Sequence, residues 1–449
     1  MDEKEEVDSG AGECKISCLP PELLAVIFIL ARAEPKEHPA SFSKIPFEIL
    51  VSHVSSHWRA VSLATLALWN QIHIRTPRSI CRYTRSRASR YLERSGSQCP
   101  LDIYVNISNW ERGNARNRER PYFIRSFADY IITHLPQTRS LFFECFQEST
   151  LLWTLSRLRN VSAPNLRRLE VKFNLHTLPR GPREIEFSIL KLGSPQLAFV
   201  KNMGNCMPVF ASLHRLTSLH LHKHYPDIPL TYPILVDVMK APDCLLYLSI
   251  GGKFNMETWP LQAAAPDFQL HHLKALQIHY PEKMVAHLLL YLSAPNLESL
   301  WLIGVFKDFS IFCNSSGYPR FPRLRYLTLQ GSYLPSIMPI SSAFPSITHL
   351  NLHLYDTPIL ETVLSGQWSS LHTLVFTWDE SWKQMGDIVT SFLQRRISDG
   401  RPIDNFLVTR NVLNVLERKA WTGIPVETKV RLVSAGNYLE PWWNQEDRI

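Results

Sequence analysis

An unbroken run of apolar residues lies near the N-terminus. Every residue from Leu23 to Ala31 is apolar, and two prolines and a glutamate stand immediately before the run. Proline is tolerated in a first helical turn and a negative charge is favourable there, so the run is predicted to be a helix. The helix is too short to cross a membrane. Its apolar sides must therefore be covered, either inside a larger domain or partly by another protein.

The segment that follows predicts a second helical face. An insert, Ala33–Pro46, contains three prolines and cannot be helical throughout. Beyond it, apolar residues recur at spacings of three and four, as on one side of a helix. These residues, together with those that close the segment, are Val51, Val54, Trp58, Val61, Leu68, Trp69 and Ile72.

From about Gln137 onward the apolar pattern becomes a repeated unit. Each unit has an apolar residue, two others, a second apolar residue, one other and a third apolar residue. The units are separated by about twenty to thirty residues, which is typical of leucine-rich repeats. Clear copies begin at Leu166, Leu216, Leu245, Leu273, Leu297, Leu324, Ile347 and Leu371, and weaker copies begin at Thr138 and Ile403.

Helices are predicted between several copies, at Ser149–Asn160, Tyr232–Ala241, Lys283–Ala294 and Thr357–Gly366. A strand followed by a helix cannot bury its apolar face alone, but stacked copies can. The predicted fold class is α/β: a small all-α bundle followed by a leucine-rich-repeat-like solenoid with a parallel sheet on its concave side. The alternative is a doubly wound sheet, which usually carries a glycine-rich phosphate loop. The sequence contains no such loop.

Composition narrows the class of protein. A chain of 449 residues suits a small domain and a larger one, and its net charge of +8 is modest for that size. Eight cysteines are scattered without a C-x-x-C pair, which argues against a zinc ribbon or a disulfide framework and indicates reduced thiols. The acidic, polar start predicts a disordered tail over residues 1–15 rather than a signal peptide. We therefore expect a soluble protein of the cytoplasm or nucleus, with no membrane partner.

The N-terminal features, taken in order, resemble an F-box, the module that docks onto the Skp-family adaptor of cullin–RING ubiquitin ligases. The residues that carry the resemblance are L-P-P-E from Leu19, the apolar run, V-x-x-V-x-x-x-W-R from Val51 and L-W-x-x-I from Leu68. The insert Ala33–Pro46 is longer than the usual connection and could loop out or perturb the adaptor surface. Carried over by position, the adaptor-binding residues are Leu19, Pro20, Leu23, Ile27 and Phe28, and the tryptophans of the bundle core are Trp58 and Trp69.

Strand positions that flank the inward-facing apolar residues are predicted to face the concave surface. This row is poor in acidic residues and rich in His, Tyr, Trp and amides, which protein interfaces favour. Trp301 and Tyr326 are predicted to stand side by side at equivalent positions of neighbouring strands and to anchor a target. The hydrogen-bonding residues predicted to support them are His279, Gln330, His349 and Asn351.

Two other groups of side chains invite a chemical interpretation. His220, His222 and His224 share one face of a strand, but they also fill the outward positions beside inward-facing leucines. No carboxylate or thiol stands nearby, so neither a metal nor a cofactor is expected. The arginine-rich helix predicted over Arg75–Arg94 is interpreted as a solvated face. A dock for acidic or phosphorylated segments is the first alternative, and nucleic acid is not an expected partner.

The resemblance, including the irregular repeats found in F-box proteins, implies a non-catalytic target receptor of an SCF-type ubiquitin ligase. The expected domains are an acidic tail (1–15), an F-box (16–75), a basic linker helix with a capping strand (76–136), the repeat solenoid (137–415) and a C-terminal cap (416–449). One alternative is a scaffold that binds the adaptor without joining a ligase. Another is an enzyme built on the repeat domain.

Overall fold

The structure is a computed structural model of the chain. It describes residues 19–33, 45–75, 81–107, 128–145, 148–173, 186–204, 207–210, 213–222, 232–240, 242–252, 268–279, 284–304, 321–331, 340–354, 357–366, 368–376, 382–408 and 428–432. Contacts divide the chain into two compact units. The N-terminal unit comprises residues 1–146 and 163–166, and the C-terminal unit comprises residues 147–162 and 167–449.

Three short helices begin the N-terminal unit: α1 (Pro21–Ala33), α2 (Phe47–Ser52) and α3 (Ser56–Ala64). A one-turn 3-10 helix, Leu66–Trp69, follows them. α1 packs against α2, α3 and this turn. The apolar run therefore forms a helix, as the sequence predicted.

The predicted second helical face is broken into two helices. Ser55 has an extended backbone, and its hydroxyl accepts a hydrogen bond from the backbone N–H of Trp58 at 3.1 Å, so it caps α3. A capping serine favours a helix start at this point over continuation of α2. The prediction was therefore wrong at Val54, which is 60% exposed, whereas Val51 and Val61 are buried.

A parallel sheet completes the N-terminal unit. Its strands are β1 (Gln71–Arg75), β2 (Leu101–Ile107) and β3 (Thr138–Cys145), paired in that order. Helix α4 (Cys81–Ser95) stands between β1 and β2 in the chain and contacts β1. The sequence predicted a helix over Arg75–Arg94, but Arg75 belongs to β1. The helix ends at Ser95, where Gly96 has a φ of +69° and donates its N–H to the carbonyl of Leu92.

The C-terminal unit contains a long all-parallel sheet, consistent with a repeat-like α/β fold. The strands that follow β3 are β4 (Arg168–Phe173), β5 (Glu186–Ile189), β6 (Phe199–Met203), β7 (Met207–Phe210), β8 (Ser218–His222), β9 (Tyr247–Gly251), β10 (Phe268–Gln269), β11 (Ala275–His279), β12 (Leu292–Ser293), β13 (Ser299–Ile303), β14 (Tyr326–Gly331), β15 (His349–Leu354), β16 (Thr373–Phe376), β17 (Asn405–Val408) and β18 (Lys429–Leu432). Two small parallel pairs, β5 with β7 and β10 with β12, stand apart from the main sheet. In the main sheet of this unit the order is β4-β6-β8-β9-β11-β13-β14-β15-β16-β17-β18.

The repeated apolar phrase sets the register of the main sheet. Leu300 on β13 pairs with Leu276 on one side and with Leu327 on the other, and the same alignment recurs along the sheet. These leucines are fully buried. Because side chains alternate along a strand, every phrase aligned in this way places its apolar residues on one face of the sheet and its intervening residues on the other.

Strand β6 belongs to a repeat that was not predicted from the sequence. Val200 and Asn202 occupy the aligned inward positions, paired with Leu169 and Val171 of β4. Asn202 is buried at a position that other copies fill with an apolar residue. This polar residue interrupts the apolar pattern, although S-P-Q-L from Ser194 precedes the strand much as A-P-N-L from Ala163 and Ala294 precedes two other repeat strands.

Four predicted helices of this unit are confirmed, at Glu148–Arg157, Tyr232–Lys240, Met284–Tyr291 and Thr357–Ser365. A short helix at Ile340–Ala343 and a long one at Trp382–Ser398 were not predicted. Two arginines of the long helix donate hydrogen bonds to backbone carbonyls of the segment that precedes β16. Arg396 donates to the carbonyls of Trp368 and Leu371, and Arg395 donates to the carbonyl of Leu364.

Several predictions lie outside the described residues. These are the acidic tail, most of the insert Ala33–Pro46, His224 and most of the C-terminal cap (416–449). Within the described part of the chain, no helix is long and apolar enough to span a membrane. The described cysteines Cys99, Cys145 and Cys244 form no disulfide bond.

Candidate functional site

The first candidate surface is the outer side of α1. Leu24 and Phe28 point inward and are buried, whereas the opposite side carries exposed apolar residues along the whole helix. The exposed side chains are Leu23, Val26, Ile27, Ile29 and Leu30, with exposures between 40% and 64%. We call these five residues the α1 apolar face.

Exposed apolar side chains are concentrated in this part of the chain. Of the eleven large hydrophobic residues that the described structure leaves exposed, ten lie between Leu23 and Leu66, and the other is Leu192. Isolated exposed apolar residues are common, but a concentration of this kind marks an interaction surface.

The residues that the F-box resemblance assigns to the adaptor divide between two sides of α1. Pro20, Leu23 and Ile27 are exposed, and Leu19 is partly exposed. Phe28 is only 1% exposed. Its ring packs against Phe47, at a centroid distance of 6.3 Å, and against Trp58 at 5.0 Å. Phe28 is therefore a core residue of the helical bundle in this structure and does not contact solvent.

A buried polar network ties the helices to the rest of the N-terminal unit. The Tyr91 hydroxyl of α4 donates to Glu48 Oε1 of α2 at 2.5 Å, and Arg87 donates to the Tyr91 oxygen at 3.1 Å. Burial is the main cause that raises the pKa of Tyr91, with the Glu48 carboxylate adding to it. The hydroxyl therefore stays protonated and remains a donor. This network fixes α2, and α1 packs against it.

Further hydrogen bonds and packing contacts hold α1 and the 3-10 turn in place. Arg32 at the end of α1 donates to the carbonyl of Ala67 and to Asn70 Oδ1. Trp69 is buried, donates its indole N–H to the carbonyl of Ser62 at 2.8 Å, and stacks edge-on against Tyr91 at 5.2 Å. The α1 apolar face is thus presented by a helix whose other side is held by hydrogen bonds and packing.

The second candidate surface is one face of the C-terminal parallel sheet. It carries the residues that intervene between the buried apolar positions, in three ladders that run across the strands. We call it the polar face. Its second ladder reads, in strand order from β4, Glu170, Lys201, His220, Ser249, Gln277, Trp301, Thr328 and Asn351.

The predicted pairing of Trp301 with Tyr326 is wrong. Trp301 pairs with Thr328, and Tyr326 pairs with Ser299, because the alignment of Leu300 with Leu327 fixes the register. Trp301 follows its leucine whereas Tyr326 precedes its own, so the two lie in different ladders. With strands about 4.8 Å apart and a rise of about 3.3 Å per residue, their Cα atoms are diagonal neighbours about 8 Å apart.

Tyr326 instead contacts a histidine of the neighbouring strand. Its ring lies 4.5 Å from that of His349, which in turn lies 4.9 Å from His372. Burial, with a smaller contribution from His372, lowers the pKa of His349 to about 4, so its ring is neutral near pH 7. His349 Nδ1 lies 2.9 Å from the hydroxyl of Thr348. The structure therefore brings Tyr326 and His349 together as a neutral aromatic group.

The other predicted target-binding residues are distributed along the polar face. Gln330 pairs with Ile303 and His353 in the third ladder, and Asn351 lies two strands from Trp301 in the second. His279 is further away and contacts His222. The Asn351 Oδ1 atom is buried and accepts no hydrogen bond among the described residues.

A histidine and serine network occupies the region around His220 and His222. His220 Nε2 lies 2.9 Å from the Ser218 hydroxyl, and His222 Nε2 lies 2.8 Å from the Ser249 hydroxyl. Ser249 donates its proton to Gln277 Oε1 at 2.9 Å. His222 must then donate to Ser249 rather than accept from it. Because its proton is directed to Gln277 and its side chain is fully buried, Ser249 is not arranged as a nucleophile activated by histidine.

The described residues of this region form no metal site. No group of three or more His, Cys, Asp or Glu side chains with suitable geometry occurs in the described part of the chain. The ring nitrogens of His220 and His222 that hydrogen-bond to serines are also unsuited to ligation in this arrangement. The residues brought together here can bind through hydrogen bonds, aromatic contact and charge.

Sequence reasoning did not identify four contributions to these surfaces. Glu48 and Tyr91 are far apart in the chain, and nothing in the local pattern indicates that Glu48 is buried or that the two side chains are hydrogen-bonded. Lys201 was missed because its strand was missed. Gly251 was not singled out, although a glycine within a strand is itself a signal of close approach between neighbouring groups.

Comparisons with known proteins add little to this picture. No protein-family model matches the sequence, and no curated protein matches it. Among solved structures, the chain is similar to a protein from Bacteroides fragilis with 14% sequence identity, over 76% of this chain and 78% of that one, at a TM-score of 0.30. A TM-score this low supports no inference about family or function.

Proposed function

We propose that this chain is the target-recognition subunit of an SCF-type ubiquitin ligase. In this proposal residues 16–75 are an F-box that binds the Skp-family adaptor, and the C-terminal unit binds the protein to be modified. The chain itself is non-catalytic, and the adaptor recruits the cullin–RING subunits that direct ubiquitin transfer.

The α1 apolar face is the observation that carries the proposal. Five adjacent apolar side chains on one helix remain exposed while the opposite side of the same helix is packed. Removing one leucine or isoleucine side chain from water is worth about 1.5–3 kcal/mol. A partner that covers this face therefore gains enough free energy for stable association, and three of the five positions that the F-box resemblance assigns to the adaptor are exposed around it: Pro20, Leu23 and Ile27.

The anchorage of α1 supports the same interpretation. A helix that binds a partner can position that partner only if the opposite side of the helix is packed firmly against its own protein. Phe28, Arg32 and Trp69 provide that hold through packing and hydrogen bonds. Phe28 therefore has a structural role in this proposal, and the direct contacts come from Leu19, Pro20, Leu23 and Ile27.

Co-purification of the full chain with a Skp-family adaptor tests the proposal. The variant Leu23→Asp with Ile27→Asp places two charges on the α1 apolar face and should reduce adaptor recovery at least tenfold. The double variant Leu19→Ala with Pro20→Ala should also reduce adaptor recovery. The matched control is Leu192→Asp, because Leu192 is equally apolar and exposed but lies in the C-terminal unit. Undiminished adaptor recovery by both double variants, at matched expression, would overturn the F-box assignment.

The cullin distinguishes a ligase subunit from a scaffold. If the wild-type chain brings down adaptor and cullin together, the ligase assignment is supported. Recovery of adaptor without cullin would favour a scaffold that binds the adaptor alone. Co-expression with the adaptor should also increase the soluble yield of the chain, because the α1 apolar face would then be covered.

A further inference from the structure

The charged residues of the polar face lie at its two ends. On the first strands, Arg168, Lys172 and Lys201 stand against the single carboxylate Glu170. At the other end, Lys429 and Arg431 lie on β18. Between them, from β6 to β17, the described positions of this face include no aspartate or glutamate. The surface is therefore complementary to a negatively charged partner.

Histidines extend the first of these ends toward Trp301. His220 pairs with Lys201, and His222 and His279 follow in the third ladder. On the opposite side of Trp301, the positions between Asn351 and β18 include Val375 and Leu407, which are apolar. In the second ladder, hydrogen-bonding side chains therefore connect Lys201 to Trp301, whereas Val375 and Leu407 interrupt the same ladder on the way to β18.

The middle of the face is neutral and aromatic. Trp301, Tyr326 and His349 are partly exposed there, and the lowered pKa of His349 removes its charge near pH 7. Aromatic side chains bury a large area at a low cost in side-chain entropy, which makes them suitable anchors for an apolar group of a partner. The polar face therefore offers a charged contact around Lys201 and an aromatic contact around Trp301, and the sheet fixes the distance between them.

The strand order sets that separation. Lys201 on β6 and Trp301 on β13 belong to the same ladder and are four strand steps apart. At about 4.8 Å per step the distance is about 19 Å. An extended peptide rises about 3.3 Å per residue, so about six residues span it.

The cations at this end are two lysines and one arginine. A guanidinium can bind two oxygens of a carboxylate or a phosphate at once, whereas a lysine ammonium attracts either group as a point charge. The arginine here, Arg168, is engaged by Glu170 at 2.6 Å and lies over the Phe199 ring at 4.2 Å. Lys172 and Lys201 carry the other positive charges at this end.

We propose that the polar face binds an extended, acidic peptide segment of the target protein. The segment carries two or more Asp or Glu residues that contact the surface around Lys201 and Lys172. About six residues away it carries a large apolar side chain that packs on Trp301. This inference rests on the proposed function, since it names the class of target that the ligase subunit recognises.

Designed peptides test the inference without knowledge of the target. The probe is a fluorescent peptide with two glutamates, a spacer of about five glycine and serine residues and one tryptophan. Binding is measured by fluorescence anisotropy with the full chain, purified with the adaptor if the adaptor binds and alone otherwise. Replacing both glutamates by glutamine should weaken binding about tenfold, and so should raising the salt concentration to about 0.5 M, which screens exposed charges. Shortening the spacer to one residue should weaken binding about fivefold.

Variants of the chain locate the site. Lys201→Glu should weaken binding of the glutamate peptide about tenfold, and Trp301→Ala should do so whether or not the glutamates are present. Arg431→Glu is the matched control, because it reverses one charge at the far end of the same face; it should change binding less than about twofold. Lys172→Glu is the second variant if Lys201→Glu lowers the melting temperature.

Three results would overturn the inference. A peptide with phosphoserine in place of glutamate could bind at least tenfold more tightly, which would assign the face to phosphorylated targets. Arg431→Glu could weaken binding while Lys201→Glu and Lys172→Glu do not. The glutamine peptide could bind as well as the glutamate peptide. None of these outcomes depends on adaptor recovery, so failure here and failure of the F-box assignment are separate observations.

Discussion

The rings of His222 and His279 touch although their strands are not neighbours. Their centroids are 4.4 Å apart with planes at 73°, while β9 lies between β8 and β11. The residue of β9 in register with both histidines is Gly251. A Cβ atom at this position would stand 2.9 Å from His222 Nδ1 and from His279 Cβ. The absence of a side chain at Gly251 is therefore what allows the two rings to meet.

Gly251→Ala should destabilise the C-terminal unit by about 1–3 kcal/mol, because the added methyl group overpacks the space between the two histidines. Urea unfolding followed by tryptophan fluorescence measures the change. The double variant Gly251→Ala with His222→Ala should cost less than the sum of the two single variants, since removal of the ring makes room for the methyl group. Strict additivity would mean that the rings do not occupy this space.

The repeated phrase explains why much of the sheet could be predicted from the sequence. A unit such as Leu297-x-x-Leu300-x-Leu302 indicates which side chains are buried. Stacking of successive units then fixes the register between neighbouring strands. Strand β6 escaped prediction because Asn202 interrupts the apolar pattern. Parallel pairing could be predicted because strands alternate with helices along the chain, and such a crossover returns the chain to the same end of the sheet.

Features that depend on contacts between residues far apart in the sequence could not be predicted from the sequence alone. The alternation of the strands places Trp301 and Tyr326 on the same face, but only the register shows that they lie in different ladders. In α1 the apolar run is so uniform that it does not indicate which side is buried. The structure resolves this through Phe47 and Trp58, which contact Phe28 from other helices.

Phe28 and Leu30 should respond oppositely to truncation. Phe28→Ala should destabilise the N-terminal unit by about 3–5 kcal/mol, because it leaves a cavity between α1 and its neighbours. Leu30→Ala should change stability by less than about 0.5 kcal/mol, because Leu30 is 64% exposed. Thermal unfolding of both variants tests this division of α1. Equal losses of stability would place Leu30 in the core.

Gly331 should be far less tolerant of substitution than Gly400. Both have positive φ, +145° and +69°, so alanine is strained at either position. At Gly331 a Cβ atom would also lie 2.1 Å from the backbone carbonyl oxygen of Gly304, whereas at Gly400 it would meet nothing within 4 Å. Backbone of a neighbouring strand cannot move aside as a flexible side chain can.

We therefore expect Gly331→Ala to cost at least about 3 kcal/mol and Gly400→Ala about 1 kcal/mol. Unfolding in urea at a single pH provides the comparison, with the difference between the two variants as the informative quantity. Similar costs for the two variants would show that β13 and β14 are not as close at this point as the structure has them.

His349 should make the stability of the C-terminal unit depend on pH. Burial lowers its pKa to about 4 in the folded protein, below the value of about 6.5 for an unperturbed histidine. Between these values the unfolded chain binds a proton that the folded chain does not, so stability rises with pH in this window. The contribution is fully present above pH 6.5 and is lost as pH falls from there to about 4.

The pH effect of His349 is measurable by substitution. Because the ring retains partial contact with solvent, we expect a loss of about 1–2 kcal/mol between pH 7 and pH 4.5, less than the full shift would give. In His349→Gln the difference between the unfolding free energies at these two pH values should shrink by that amount. His272→Gln is the matched control, since His272 is an exposed histidine of the same unit. If the two variants show the same pH dependence as the wild type, His349 is not shielded from water and the neutral aromatic group around Tyr326 must be assigned differently.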